Sequence, residues 1–164
     1  MTSTQASGAA ATAQPSAQPV PLRFEVTVIP VSDVDRAKAF YQRLGWRLDA
    51  DFPIEEGYRV VQMTPPLSPT SIQFGTGMTA LTPGSMRDMY LVVDDLKAAR
   101  ADLISRGAAV SEIWHGRGVG TTGHHEDGAD PQSQSYRSFA SFADPDGNTW
   151  LLQEIIERLP GRVW

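Results

Sequence analysis

The stretch Val31-Ser32-Asp33-Val34-Asp35-Arg36-Ala37 returns 62 positions later as Val93-Asp94-Asp95-Leu96-Lys97-Ala98-Ala99. In both copies an apolar strand-like run ends, an aspartate stands where it can cap a helix, and apolar residues follow at helical spacing. The same offset relates Gly45 to Gly107, the glycine that stops each helix. Farther on the offset grows to 78 and relates Tyr58-Arg59 to Tyr136-Arg137, which gives the second copy 16 more residues between Gly107 and Tyr136. A duplication of this size predicts two supersecondary modules that share a core neither closes alone.

Working outward, residues 24–31 alternate and are rich in Val and Ile, as a strand requires. Val34, Ala37, Phe40, Tyr41 and Leu44 line one face of the helix that follows. Residues 46–51, 58–63 and 70–75 read as three further strands separated by Gly- and Pro-bearing turns. The first module is thus β-α-β-β-β over residues 22–79. The second, over residues 87–157, repeats the order, with strands predicted at 87–93, 109–114, 135–143 and 148–155 around a helix carrying Leu96, Ala99 and Leu103. Residues 80–86 link the two. Asp144-Pro145-Asp146-Gly147-Asn148 reads as a tight turn on backbone grounds, since the ligand spacing of a calcium loop is absent. Phe40, Tyr41, Phe74 and Trp150 fall at core periodicity.

The 164 residues suffice for one domain with a proper core, and 41% hydrophobic with 20% charged residues fits a soluble chain. A net charge of −5 without a basic stripe argues against nucleic-acid and anionic-membrane partners. There is no cysteine, which removes disulfides, thiolate metal sites and thiol nucleophiles. Residues 1–21 are mostly Ala, Ser, Thr, Gln and Pro without a charge, and read as a disordered tail that makes a poor secretory signal. Residues 158–164 are a C-terminal extension, and the cytoplasm is the expected location.

The paired modules, the helix entered by Val-Ser-Asp-Val-Asp-Arg-Ala and closed by Phe40-Tyr41-Gln42-Arg43-Leu44-Gly45-Trp46, and the late Asp-Pro-Asp-Gly-Asn together resemble the vicinal oxygen chelate superfamily. That group includes glyoxalases, bleomycin-resistance proteins and extradiol dioxygenases. The resemblance covers about residues 22–157. It implies an α+β fold of two cupped four-stranded mixed sheets with helices outside, a pocket enclosed by the cups, and a homodimer. Function is not implied, because the superfamily holds enzymes and pure binding proteins alike.

In the metal-dependent members, ligands come from the first and fourth strands of each module. The resemblance carries these positions onto Val26, Gln73, Asp88 and Leu151, which obey the offsets of 62 and 78. Two hydrocarbons, an amide and one carboxylate make a poor transition-metal site, so no cofactor is expected and a divalent metal is disfavoured. If strand alternation runs from these positions, Val26, Val28, Gln73, Asp88, Tyr90, Val92, Leu151 and Gln153 line an apolar cavity with a few polar groups. Asp88 is then the candidate general base and Gln73 a group to orient a ligand, against the plainer alternative of an exposed strand-start aspartate and a space-filling amide.

All three histidines, His115, His124 and His125, lie in the Gly-rich loop 114–128, read either as a solvated loop or as a lid bringing His115 or His124 to Asp88. Trp114 and Tyr136 flank it and are candidate ligand contacts. The expected function is binding of a small organic molecule without a complete metal centre, in one version as a metal-independent isomerase or lyase. The alternatives are a non-catalytic sequestering protein and a divalent-metal lyase or dioxygenase using the loop histidines.

Overall fold

The two copies of the repeated stretch fold as the same capped helix. A computed structural model describes residues 20–116 and 125–161. Helix α1 (Val34–Arg43) begins at Asp33, whose carboxylate accepts from the Arg36 amide, and α2 (Leu96–Ser105) begins at Asp95, which accepts from Ala98, both at 2.9 Å. Gly45 and Gly107 follow the helices with φ of +87° and +88°, a conformation that costs a glycine little.

In the first module, β1 (Val26–Val28), β2 (Arg47–Glu55), β3 (Tyr58–Thr64) and β4 (Ser71–Thr76) form a sheet of order β1-β4-β3-β2 with β1 and β4 parallel. In the second, β5 (Met89–Val93), β6 (Trp114–Gly116), β7 (His125–Asp127), β8 (Ser138–Ala143) and β9 (Thr149–Glu154) form a sheet of order β5-β9-β8-β6-β7, with β5 and β9 parallel. The α+β class and the pair of mixed sheets agree with the expectation, but the second sheet has five strands. The extra strand comes from the loop read above as irregular, since β6 and β7 pair as the two arms of a hairpin. Its tip, including His124, lies outside the described residues.

The strand expected at 109–114 is also corrected. Only Val110 bridges to Phe142, and the ladder proper starts at Trp114. Ser111 explains the break: its hydroxyl accepts the Ser141 amide at 2.9 Å and its carbonyl is taken by Arg100 at 2.7 Å, so a side chain replaces a ladder acceptor.

One core joins the modules. Ala37, Phe40 and Tyr41 of α1, Trp46, Val61 and Met63 of β3, Ile72 and Phe74 of β4 cluster with Leu96, Ala140, Phe142, Trp150 and Leu152 of the second module. Tyr41 and Trp46 meet the Trp150 ring at centroid distances of 6.3 and 5.1 Å. The Trp150 indole donates to the Tyr41 hydroxyl, which donates to Asp144, each at 3.1 Å. Burial, reinforced by the Asp144 carboxylate, pushes the Tyr41 phenol well above its ordinary pKa, so it stays a donor. The turn 144–148 does more than reverse the chain. Asp146 bonds Ser32 and Arg36, and the Asn148 amide donates to the Pro30 carbonyl at 2.9 Å, clasping module two onto the start of α1.

Register also corrects the repeat. Val28 pairs with Gln73 and Tyr90 with Leu151, so offsets of 62 and 78 hold for the first and fourth strands. Gln62, opposite Gln73, corresponds instead to Ser141, opposite Leu151. The third strands are thus related by 79, and the match of Tyr58-Arg59 to Tyr136-Arg137 is one residue out of step. A slip of one turns every side chain to the other face.

Candidate functional site

Because the residues packed into the common core lie on one face of each sheet, the other faces look outward. Alternation assigns Val26, Val28, Val60, Gln62 and Gln73 to the outer face of the first sheet. These are half-buried, and the Gln73 amide donates to Gln62 at 2.8 Å. Phe52, opposite Val60, is 62% exposed on the same face. The outer face of the second sheet carries Tyr90, Val92, Leu151, Gln153, Phe139, Ser141 and Trp114. Leu151 and Gln153 are buried, Gln153 donating to the Tyr136 carbonyl at 3.2 Å, whereas Tyr90 is 47% exposed.

Across β8, β6 and β7 this second face holds a ladder of rings. Trp114 stacks on Phe139 at 4.6 Å and 23° and on His125 at 3.8 Å and 17°. Stacked cross-strand rings of this kind stabilise a sheet by roughly 0.2–1 kcal/mol per pair and present a flat apolar edge to whatever lies above. Phe139 is fully buried, Trp114 half-buried and His125 exposed.

The acid–base residues are not gathered. Asp88 is exposed just before β5 at φ +51°, with its amide donating to Thr149 at 2.7 Å. His115 is buried on the opposite face of β6 from Trp114. Its Nδ1–H donates to the Gly128 carbonyl at 2.9 Å, and its Nε2 lies 3.5 Å from Glu126. Through the ladder His115 is level with Val93, so Asp88 lies five residues away along the strands and three strands across. These are separations of roughly 17 and 14 Å. The expected pairing of Asp88 with His115 is therefore corrected: both ride on one sheet whose register fixes them far apart and on different faces. Tyr136, at φ +71°, turns toward the C-terminal segment, where its hydroxyl accepts the Leu159 amide at 2.9 Å. It borders an open depression of about 520 Å³ with Ile156 and Leu159.

Residues 23–152 match the family described as Glyoxalase/Bleomycin resistance protein/Dioxygenase superfamily. The chain belongs to this superfamily. Among solved structures it is similar to TnmS3, an antibiotic binding protein from Streptomyces sp. CB03234, with 30% identity, TM-score 0.62, and 84% of this chain and 99% of the other covered. A glyoxalase/bleomycin resistance protein from the same organism has 32% identity, TM-score 0.58, and 80% and 100% coverage. A superfamily member from Sphaerobacter thermophilus DSM 20745 has 25% identity, TM-score 0.61, and 82% and 98% coverage. No curated protein matches.

The metal that some superfamily members use does not fit the residues present. Val26 and Leu151 have no lone pair to offer, Gln73 already bonds Gln62, and Asp88 stands on the other sheet. Among the described residues no three His, Cys, Asp or Glu side chains are grouped to hold an ion.

Phe139 and Arg137 are outer-face groups that the sequence reading did not offer as ligand contacts, and it placed His125 only in the loop. A signal existed for the first. Phe139 and Phe142 lie three apart in one strand, so they must face opposite sides, and only one can enter the shared core.

Proposed function

We propose that the chain is a non-catalytic binding protein that holds a small, flat, apolar molecule of the antibiotic type against the ring-bearing outer face of its second sheet. The observation that carries this is the Trp114–Phe139–His125 ladder, on a face from which register turns His115 away and sets Asp88 three strands from β6. Likeness at 30% identity to an antibiotic binding protein supports the same reading. An isomerase or lyase would need Asp88 and a histidine within hydrogen-bond reach of one substrate, and His115 is held away. A metal-dependent lyase or dioxygenase would need donors that Val26 and Leu151 lack.

A second copy of the chain closes the site in this proposal. Phe52 and Tyr90 leave apolar surface open on the two outer faces, and a sheet from a partner would cover each. Sedimentation should give the mass of a dimer.

The test is a titration of intrinsic tryptophan fluorescence with a panel of flat aromatic antibiotics, followed by recovery and mass analysis of the compound. Saturable quenching with the compound returned unchanged is the expected result. Trp114→Ala should weaken binding on the order of tenfold, and Trp114→Phe should retain most of it. Steady conversion of the compound to a product would overturn the proposal.

A further inference from the structure

Among the described residues the ring-bearing face carries one arginine, Arg137, and its situation differs from that of three other half-buried cations. Lys38, Arg59 and Arg100 each grip a carboxylate, Asp51, Asp51 with Asp35, and Glu112, at 2.6 to 2.9 Å. Arg137 is equally half-buried, yet among the described residues its guanidinium meets no acceptor. Its stem is half-buried and no carboxylate of the described residues holds its head, so the guanidinium is available to a partner from outside.

Its position says what kind. The Arg137 carbonyl accepts the Gly116 amide at 3.2 Å, extending the β6–β8 ladder by one pair, and that register places Arg137 on the outer face beside Phe139. Across from it stands Gly116, which has no side chain, and beyond Gly116 in register is His125. Register thus sets Arg137, Trp114 and His125 around Gly116 on one face. The nearest carboxylate on that face by register, Asp127, is two strands across and two residues along, roughly 10 and 7 Å. A flat apolar ledge with one unanswered fork of donors at its rim complements a flat apolar molecule with an ionised oxygen on its edge.

We propose that Arg137 is the specificity-determining residue of this site and selects aromatic ligands that carry an anionic oxygen, a carboxylate or a phenolate, at the ring edge. The inference rests on the ring-bearing face being the ligand site. It gives the aromatic compounds a required feature that the ring ladder alone does not demand.

The experiment compares naphthoate with naphthylmethanol, which share the ring system and differ in the charged oxygen. Both are titrated by calorimetry into the full chain and into Arg137→Gln and Arg137→Lys, with the sedimentation of each variant measured beside it. The wild type should favour naphthoate on the order of tenfold, as expected for a charge-assisted hydrogen bond. Arg137→Gln should abolish that preference while leaving the affinity for naphthylmethanol unchanged, and Arg137→Lys should keep part of it. An undiminished preference in Arg137→Gln overturns the role of Arg137 but leaves the ring-bearing face as the ligand site. Dissociation of a dimer in Arg137→Gln with the ligand preference intact assigns the guanidinium to an interface and overturns the proposal likewise. Failure of both compounds to bind the wild type overturns the ring-face reading and this one with it.

Discussion

The two modules agree on the faces they bury and disagree on the faces they leave open. On the buried side, corresponding positions keep the same duty: Ile72 and Phe74 of β4 align with Trp150 and Leu152 of β9, and all four enter one core. On the open side, Gln73 and Gln62 of the first sheet correspond to Leu151 and Ser141 of the second, and the ring ladder has no first-module equivalent. The inserted residues sharpen the contrast, because they supply β7 and with it the third ring. A duplicated unit must preserve the face on which its folding depends, since a change of one methylene there is felt throughout the core. The outer face is under no such constraint and can be fitted to a ligand. Differences between the copies therefore locate function better than similarities do.

Trp150→Ala makes the largest break in that shared core. The indole contacts Tyr41 and Trp46 of the first module and Phe142 of the second, so truncation should cost about 3–5 kcal/mol. Hydrogen exchange should then quicken in β3 and β4 as much as in β8 and β9. Loss of protection in the second sheet alone would mean that the modules are stabilised separately. Tyr41→Phe is a smaller change at the same seam. It keeps the ring but strands the Trp150 N–H and removes a donor from buried Asp144, a loss of roughly 1–3 kcal/mol that equilibrium denaturation would register. The phenol is held protonated far above neutral pH, so this loss should be constant between about pH 6 and 8.

Most of the fold could be read from the sequence because its punctuation is local. The Asp33 and Asp95 caps and the glycines after each helix act within one turn of chain, and a duplication shows each of them twice. The apolar periods of α1 and β4 likewise fix which side is buried. What could not be read depends on register between distant strands. Eight residues separate the paired Met63 and Ile72, but seven separate Phe142 and Trp150, and nothing local reveals that one-residue difference. The short match of Tyr58-Arg59 to Tyr136-Arg137 therefore concealed a change of face. By the apparent repeat Arg137 should resemble Arg59, which is bound to Asp51 and Asp35. By register it is turned outward instead. For the candidate site, Trp114 and the apolar positions of the strands were accessible to alternation. The separation of Asp88 from His115 was not, because it is set by how β6, β8 and β9 align.

The smallest effect tests the same contrast on the helix side. Lys38 and Arg100 are related by the 62-residue offset and each bonds a carboxylate at 2.6 Å, Asp51 in one module and Glu112 in the other. Asp51 is 20% exposed and Glu112 89% exposed, so only the first pair is sheltered enough to matter. The Asp51 carboxyl is held well below the usual range, first by Arg59 and then by Lys38. A lowered folded-state pKa means that folding favours the ionised form. The stabilisation is complete above the ordinary carboxylate range and is lost as pH falls through the lower folded value. Asp51→Asn should therefore lower the melting midpoint by about 2–4 °C between roughly pH 5 and 7, the shift that about 1 kcal/mol produces in a domain of this size. That deficit should shrink as the pH is taken below about 4. Glu112→Gln should leave the midpoint unchanged throughout. Equal effects from the two substitutions would show that the modules weigh this helix-borne ion pair alike, and the asymmetry between the copies would then be confined to their outer faces.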